Sequence, residues 1–171
     1  MIWTKWKLKD PNGVVPSPRS GHTLTFCRGL YLLFGGTMNG LLDINVKKIC
    51  STNELWLLEP SLKSNSFLYG WQKLTPKGDI PSPRSNHIAV TVKDIGANDS
   101  ASWIFIHGGM NEKGKLDDCY MLELNDYRFT KINCGEHCPS PRANHAACYY
   151  EGKIYMFGGN GGKTYENSVF K

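Results

Sequence analysis

Apolar residues in this chain fall in short runs, and the runs recur in a fixed order. One set opens on histidine: HTLTF (22–26), HIAVTV (87–92) and HAACYY (145–150). A second closes on paired glycines: LYLLFGG (30–36), WIFIHGG (103–109) and KIYMFGG (153–159). A third begins polar and carries an aromatic: NELWLLE (53–59), DDCYMLEL (117–124) and NSVF (167–170). A fourth carries another aromatic: WQKL (71–74) and FTKI (129–132). The runs are rich in aromatic and β-branched residues and are bounded by Gly, Pro and Asn, which is how strands read. No segment sustains a helical period. The pattern predicts an all-β chain built from repeated four-strand units.

The same phrase stands before each first run: PSPRSGH (16–22), PSPRSNH (81–87) and PSPRANH (139–145). From its Arg to the first Gly of the pair there are 16, 24 and 16 residues. From the second Gly to the polar opener of the third run there are 17, 8 and 8. Insertions that fall only between runs mark the runs as strands and the gaps as loops. The longest gap, TMNGLLDINVKKICST (37–52), reads as a loop insertion with room for one helical turn. With the strands of a unit lettered A to D, the order is D, ABCD, ABCD, ABC. Residues 1–15 supply the lone first D, 16–75 one unit, 76–133 a second, and 134–171 a third lacking its D.

Composition narrows the function classes. No stretch approaches the ~18 apolar residues of a membrane span, and MIWTKWKLKDPNG has no apolar core fit for a signal peptide. The expectation is a cytoplasmic protein with no membrane association. The net charge is +5, but the 20 Lys and Arg are dispersed. No block of like charges indicates a nucleic-acid arm, whereas an acidic protein partner fits. The six cysteines read as reduced thiols in a chain of this kind. Cys134-Gly-Glu-His137-Cys138 invites a zinc site. A structural zinc takes four ligands, however, and no second pair stands at matching spacing, so no metal and no cofactor is expected.

The Pro-Arg-x-x-His phrase, the double glycine after an aromatic-aliphatic strand, the third-strand aromatic and the fourth-strand Trp together resemble the kelch repeat. The likeness runs three times in phase along nearly the whole chain. It implies a kelch-type β-propeller, present here as three blades of four antiparallel strands, with A innermost. Three blades do not close a ring, since propellers have about four to eight. The chain is then a piece of a longer propeller, or two copies form a homodimer that closes a six-bladed ring, each lending its first strand D to the other.

The repeated residues divide into two groups. Gly35, Gly36, Gly108, Gly109, Gly158 and Gly159 end strand B, where positive φ and close backbone approach favour glycine. Trp6, Trp71 and Phe129, with Trp56, Tyr120 and Phe170, offer the large apolar areas that wedge blade against blade. His22, His87 and His145 open strand A and suit a local hydrogen bond better than a metal or catalytic centre. His107 replaces an aromatic and is expected to be packed.

The second group is the candidate binding face. In an up-and-down blade the D–A and B–C loops open on one side. That side gathers Arg19, Arg84 and Arg142 with Ser20, Ser85, Asn39, Lys47, Lys48, Asn111, Lys113 and Asn160. A ring of guanidinium groups suits carboxylates or phosphates, and in kelch adaptors, the resemblance implies, arginines at this loop position contact acidic peptides. The same arginines equally suit a structural role, each pinning its own turn. The leading expectation is a protein-interaction module for an acidic or phosphorylated segment. A regulatory kelch segment of a larger enzyme is the alternative, because the phrases PSPRSGHTLT and LTPKGDIPSPR are similar to those of some Ser/Thr protein phosphatases. An enzyme on the propeller itself is disfavoured, since no G-x-S-x-G, P-loop or H-E-x-x-H occurs.

Overall fold

A computed structural model of the chain describes residues 14–41, 47–61, 68–93 and 103–171. Trp6 and most of the proposed first strand D lie outside these. The first blade is a meander of β1 (Thr23–Cys27), β2 (Leu30–Phe34), β5 (Leu55–Ser61) and β6 (Leu68–Leu74). All its pairs are antiparallel. Between β2 and β5 the segment expected as a loop is a hairpin of β3 (Thr37–Leu41) and β4 (Lys47–Ser51). A helical turn is ruled out for its two arms, because ladder pairing from Thr37↔Ser51 to Leu41↔Lys47 uses their backbone groups.

The second blade departs from a plain four-strand sheet. Its members are β8 (Ile88–Val92), β9 (Trp103–His107), β12 (Cys119–Glu123) and β13 (Arg128–Ile132), with a fifth, parallel edge strand β7 (Lys77–Gly78). That edge comes from the connector leaving the first blade. It runs beside β13 because Lys77 N–H donates to Tyr127 C=O and Asp79 N–H to Phe129 C=O. The B–C connection is a small hairpin of β10 (Met110–Asn111) and β11 (Gly114–Lys115). The third blade has β14 (Ala146–Tyr150), β15 (Lys153–Phe157) and β16 (Val169–Phe170). A single 3-10 turn at Gly135–His137 precedes it.

The core follows from strand alternation. Side chains paired across a sheet share a face. Phe34, Leu32, Leu55, Leu57 and Leu74 of the first blade meet Ile104, Ile106, Tyr120, Leu122 and Phe129 of the second in one buried cluster. Phe34 and Phe129 lie 5.5 Å apart between ring centres and join the two sheets. At ~25 cal/mol per Å² of apolar area, such blade-to-blade burial is the main favourable term. Among the described residues no helix is long and apolar enough to cross a membrane.

Candidate functional site

The D–A turns are shaped before any side chain acts. Gly21, Asn86 and Asn144 occupy the same place in the three phrases and have φ of 64°, 57° and 59°. Glycine and asparagine tolerate this left-handed conformation best. The kink lets Asn86 N–H donate to Gly21 C=O and Asn144 N–H to Asn86 C=O. Successive blades are thereby linked backbone to backbone where strand A begins. The residue before His in each phrase carries this signal, and the sequence reading passed over it.

The turns are fastened to the B–C hairpins. Ser20 pairs with Thr37, Ser85 with Met110, and Ala143 with Asn160, each as an antiparallel bridge. Gly36 N–H donates across the blade boundary to Arg84 C=O, and Gly109 N–H to Arg142 C=O. The D–A turns and B–C hairpins thus share one face of the array. Asn39, Lys47 and Lys48 stand in the β3–β4 hairpin, and Asn111, Lys113 and Asn160 in the other two.

The arginines do not line that face as open donors. Arg84 is fully buried and Arg142 is 1% exposed, and the Arg19 side chain is 2% exposed. Each makes the same local set of bonds. The Nε of Arg84 donates to Ser82 C=O, one Nη2 hydrogen to Ser82 Oγ, and Nη1 to Gly108 C=O. Arg19 repeats this with Ser17 and Gly35, and Arg142 with Ser140 and Gly158. Carboxylates take most of what remains. Asp118 receives Arg84 through both oxygens, at 2.6 and 2.9 Å. Glu54 receives Arg19 at 2.7 Å. In the third blade Ser168 stands where Glu54 and Asp118 stand, and Glu166 comes only to 3.8 Å of Arg142. The third-strand aromatics serve as platforms: Arg84 sits 5.3 Å above Tyr120, and Arg142 sits 4.9 Å above Phe170. The ring of ligand-reading guanidinium groups is therefore corrected: burial and local bonds hold these groups inside the blades. Ser85 is likewise buried. The acid two residues before the third-run aromatic was the missed partner.

Glu54 accepts from Arg19, Lys73 and the Trp56 indole. Burial alone would raise its pKa, but the bonds from Lys73, Arg19 and Trp56 outweigh that and bring it down to about 2. The histidines show the opposite balance. Burial, helped by Arg84, pushes His87 down to about 3, and burial with His107 and Arg142 takes His145 down to about 3. Burial and Arg142 lower His107 to about 4. All three are neutral at pH 7.

The two buried strand-A histidines reach back into the preceding blade. His87 Nε2 lies 3.0 Å from Thr23 Oγ1, and the ring packs edge-on against Phe34. His145 Nε2 lies 3.0 Å from His107 Nδ1. His22, with no preceding blade against it among the described residues, is exposed. The glycines follow the same logic. A Cβ on Gly35 would stand 2.7 Å from Arg84 O, and one on Gly108 2.7 Å from Arg142 O. Gly36, Gly109 and Gly159 are pressed by their own D–A turns. Trp56 and Tyr120 are buried, Phe129 is 1% exposed, and Trp71 and Phe170 are half-buried.

Among the described side chains, Lys113, Lys163 and Glu112 are the exposed charges of the B–C hairpins, and Tyr165 is 86% exposed. Lys115 is half-buried, with Nζ 3.7 Å from Met110 Sδ.

A second cluster was missed as well. His107, Cys119 and Cys138 bring their donor atoms within 4.8 Å of one another. Cys134 Sγ lies 2.9 Å from Cys119 Sγ. Spacing along the chain does not show this set, because no second pair stands at matching spacing to Cys134 and Cys138. The pair comes instead from β9 and β12, adjacent strands of the blade that the segment leaves.

Comparison with known proteins agrees with this architecture. The family model described as the KLHDC2/KLHL20/DRC7 Kelch-repeats domain matches residues 68–171. Human host cell factor 2 is 34% identical over 161 residues, spanning 92% of this chain and 19% of that protein. The flagellar outer arm dynein alpha chain of Chlamydomonas reinhardtii is 29% identical over 157 residues, spanning 92% of this chain and 3% of the dynein chain. Kelch repeat-containing protein 2 of Saccharomyces cerevisiae is 27% identical over 166 residues, spanning 91% of this chain and 17% of that protein. The chain thus spans less than a fifth of each of these curated relatives.

Proposed function

From the premise that this chain belongs to the kelch-repeat family, whose domains are protein-interaction modules, we propose that it docks an acidic or phosphorylated segment of a partner on the turn-and-hairpin face. One observation carries the reading. The arginines are consumed in building the face, and among the described side chains the exposed cations of the B–C hairpins are Lys113 and Lys163. Paired backbone bridges hold each hairpin to its turn, so the surface is formed before a ligand arrives and little ordering entropy opposes binding. Lysine ammonium groups meet carboxylate or phosphate as mobile point charges. Tyr165 supplies an exposed amphipathic ring of the kind enriched at interfaces.

The test separates the two cation sets. A fluorescent peptide rich in Glu and phosphoserine is titrated into the protein at low salt. The Lys113→Glu/Lys163→Glu pair is expected to weaken binding by at least about tenfold, as loss of attraction plus new repulsion would, while the fold is retained. Arg84→Ala is expected to lower stability by about 3 kcal/mol, because it empties a fully buried site and strands the half-buried Asp118 carboxylate. A stable Arg84→Ala protein that loses binding, alongside undisturbed lysine variants, would overturn the assignment. A second reading is that the module acts as one part of a longer protein, and the small share of each relative that it spans favours this.

A further inference from the structure

We infer that His107, Cys119, Cys134 and Cys138 form a zinc-binding site that clamps the second blade to the connector entering the third. Four observations converge on it. The first is proximity, already given: three donor atoms within 4.8 Å and a thiol pair at 2.9 Å. A tetrahedral zinc with Zn–S bonds near 2.3 Å holds its ligand atoms roughly 3.5–3.8 Å apart. His107, Cys119 and Cys138 already meet near that spacing, and Cys134, which lies against Cys119 but outside the mutual 4.8 Å group, must shift to become the fourth ligand.

The second observation is the unpartnered nitrogen. His107 is fully buried, and its Nε2 has no hydrogen-bond partner. Its Nδ1 is taken by His145 Nε2 at 3.0 Å. When Nδ1–H donates to that neighbour, the lone pair of Nε2 is left available. A metal-ligating histidine is held in just this way by a second hydrogen bond that fixes its tautomer. A buried nitrogen with no partner is costly; His87 Nδ1 and His145 Nδ1 share that state, but of the three rings only His107 stands within reach of thiols.

The third observation comes from the repeat itself. His107 stands where the other blades have Phe34 and Phe157, and Cys119 where they have Leu55 and Val169. Cys134 stands where the two other connectors have Pro11 and Pro76, and Cys138 where they have Val15 and Ile80. Four apolar positions of the repeat are thus occupied by metal-binding side chains at one blade junction. Packing would be served by the usual residues. Joint replacement by three thiols and an imidazole is what a Cys3His zinc site requires, and soft sulfur donors select such a metal.

The fourth observation is the setting. Cys119, Cys134 and Cys138 line an open cavity of ≈ 410 Å³ that also includes Lys131. Metal enters from solvent by that route, and each ligating thiol gives its proton to water. Three thiolates and Zn²⁺ sum to one negative charge; the same wall carries the Lys131 ammonium and the Asp117 and Asp118 carboxylates, of which Asp118 is already paired with Arg84.

The test uses the full chain, reduced and stripped of metal, titrated with Co²⁺ as a spectroscopic stand-in for zinc. Expected are thiolate-to-cobalt charge-transfer bands in the near ultraviolet and the visible bands of a tetrahedral site, both displaced by Zn²⁺. Cys138→Ser is expected to weaken Co²⁺ binding by at least about tenfold, since outer-shell losses alone cost 10–100-fold. His107→Phe restores the residue of the sister blades. It is expected to keep the fold by circular dichroism while losing affinity to a similar degree. Added Zn²⁺ should raise the melting temperature of the parent chain and leave Cys138→Ser unmoved. Absence of cobalt bands in the folded, reduced protein would overturn the inference. So would bands that survive both substitutions, or a Cys119–Cys134 disulfide whose reduction yields no metal uptake.

Discussion

At the scale of single residues, the arginine, serine and third-strand acid form one unit in the first two blades. The phrase Pro-Ser-Pro-Arg folds back on itself, and the carboxylate of the third strand neutralises what the turn does not use. Glu54 shows this most directly, because its pKa lies at about 2 in the folded chain and near 4.3 in an unfolded one. The sign follows. A carboxyl whose folded pKa is depressed adds stability that is fully present above its unfolded pKa. That stability fades as pH falls through the window from about 4.3 to about 2, where the native state too becomes protonated. Glu54→Gln is therefore expected to be less stable than the parent at pH 6, with the gap in urea midpoint closing towards pH 2. A gap that persists unchanged at pH 2 would show that packing, not charge, underlies the difference. The acid itself was hard to read in the sequence. Glu54 and Asp118 are matched by Ser168 in the third unit, so no invariant letter marks the position. The arginines were conspicuous, and their burial was not, because it depends on which neighbour the turn lies against.

At the scale of elements, each blade is completed by the turn of the next. The double glycine makes the point, because its first member differs between sites that have a following turn and one that has none against it. Gly35 has φ +67° and would place a Cβ 2.7 Å from Arg84 O and 2.9 Å from the His87 ring. Gly158 has φ +73°, yet its nearest contact would be Glu166 O at 3.6 Å. Gly158→Ala should then cost only the left-handed penalty, about 1–2 kcal/mol. Gly35→Ala should cost more, since backbone oxygen cannot move aside as a side chain does. Chemical denaturation of the two variants in solutions dilute enough for the monomer ranks them, and equal costs there would contradict the packing account. The all-β class and its antiparallel kelch-type units were legible because a repeat shows its periodicity in letters. The parallel edge β7 was not legible. Two residues of connector, Lys77 and Gly78, join a sheet through backbone groups alone, and no side-chain pattern announces that. The same limit hid the thiol–imidazole cluster. Spacing along the chain finds ligands within one loop, but Cys119 and His107 are brought to Cys138 by cross-strand register.

At the scale of the whole molecule, the two outer flanks are complementary halves of an interface that the molecule already makes twice. The third blade presents Phe157 at 55% and Val169 at 68% exposure, where their counterparts Phe34 and Leu55 are buried against the second blade. The first blade presents Leu24 at 52% and an exposed His22, where Ala89 and His87 meet a neighbour. Placed flank to flank, His22 of one copy would lie on Phe157 of another as His87 lies on Phe34, and its turn would fill the space over Gly158. The contact is head-to-tail, so two copies close a six-bladed ring if the rotation per blade allows it and otherwise extend. Contiguous exposed apolar faces mark interaction sites. The isolated chain is accordingly expected to run as a dimer or larger in light scattering at micromolar concentration. Phe157→Asp should shift it towards monomer, since the charge would be buried without a partner, while the blade 1–blade 2 core keeps the chain folded. Gly158→Ala should weaken association for a second reason, because the new methyl would meet the incoming turn that is absent from the monomer. A parent chain that remains monomeric at all concentrations would refute flank pairing and leave the apolar sides to be covered by some other protein surface.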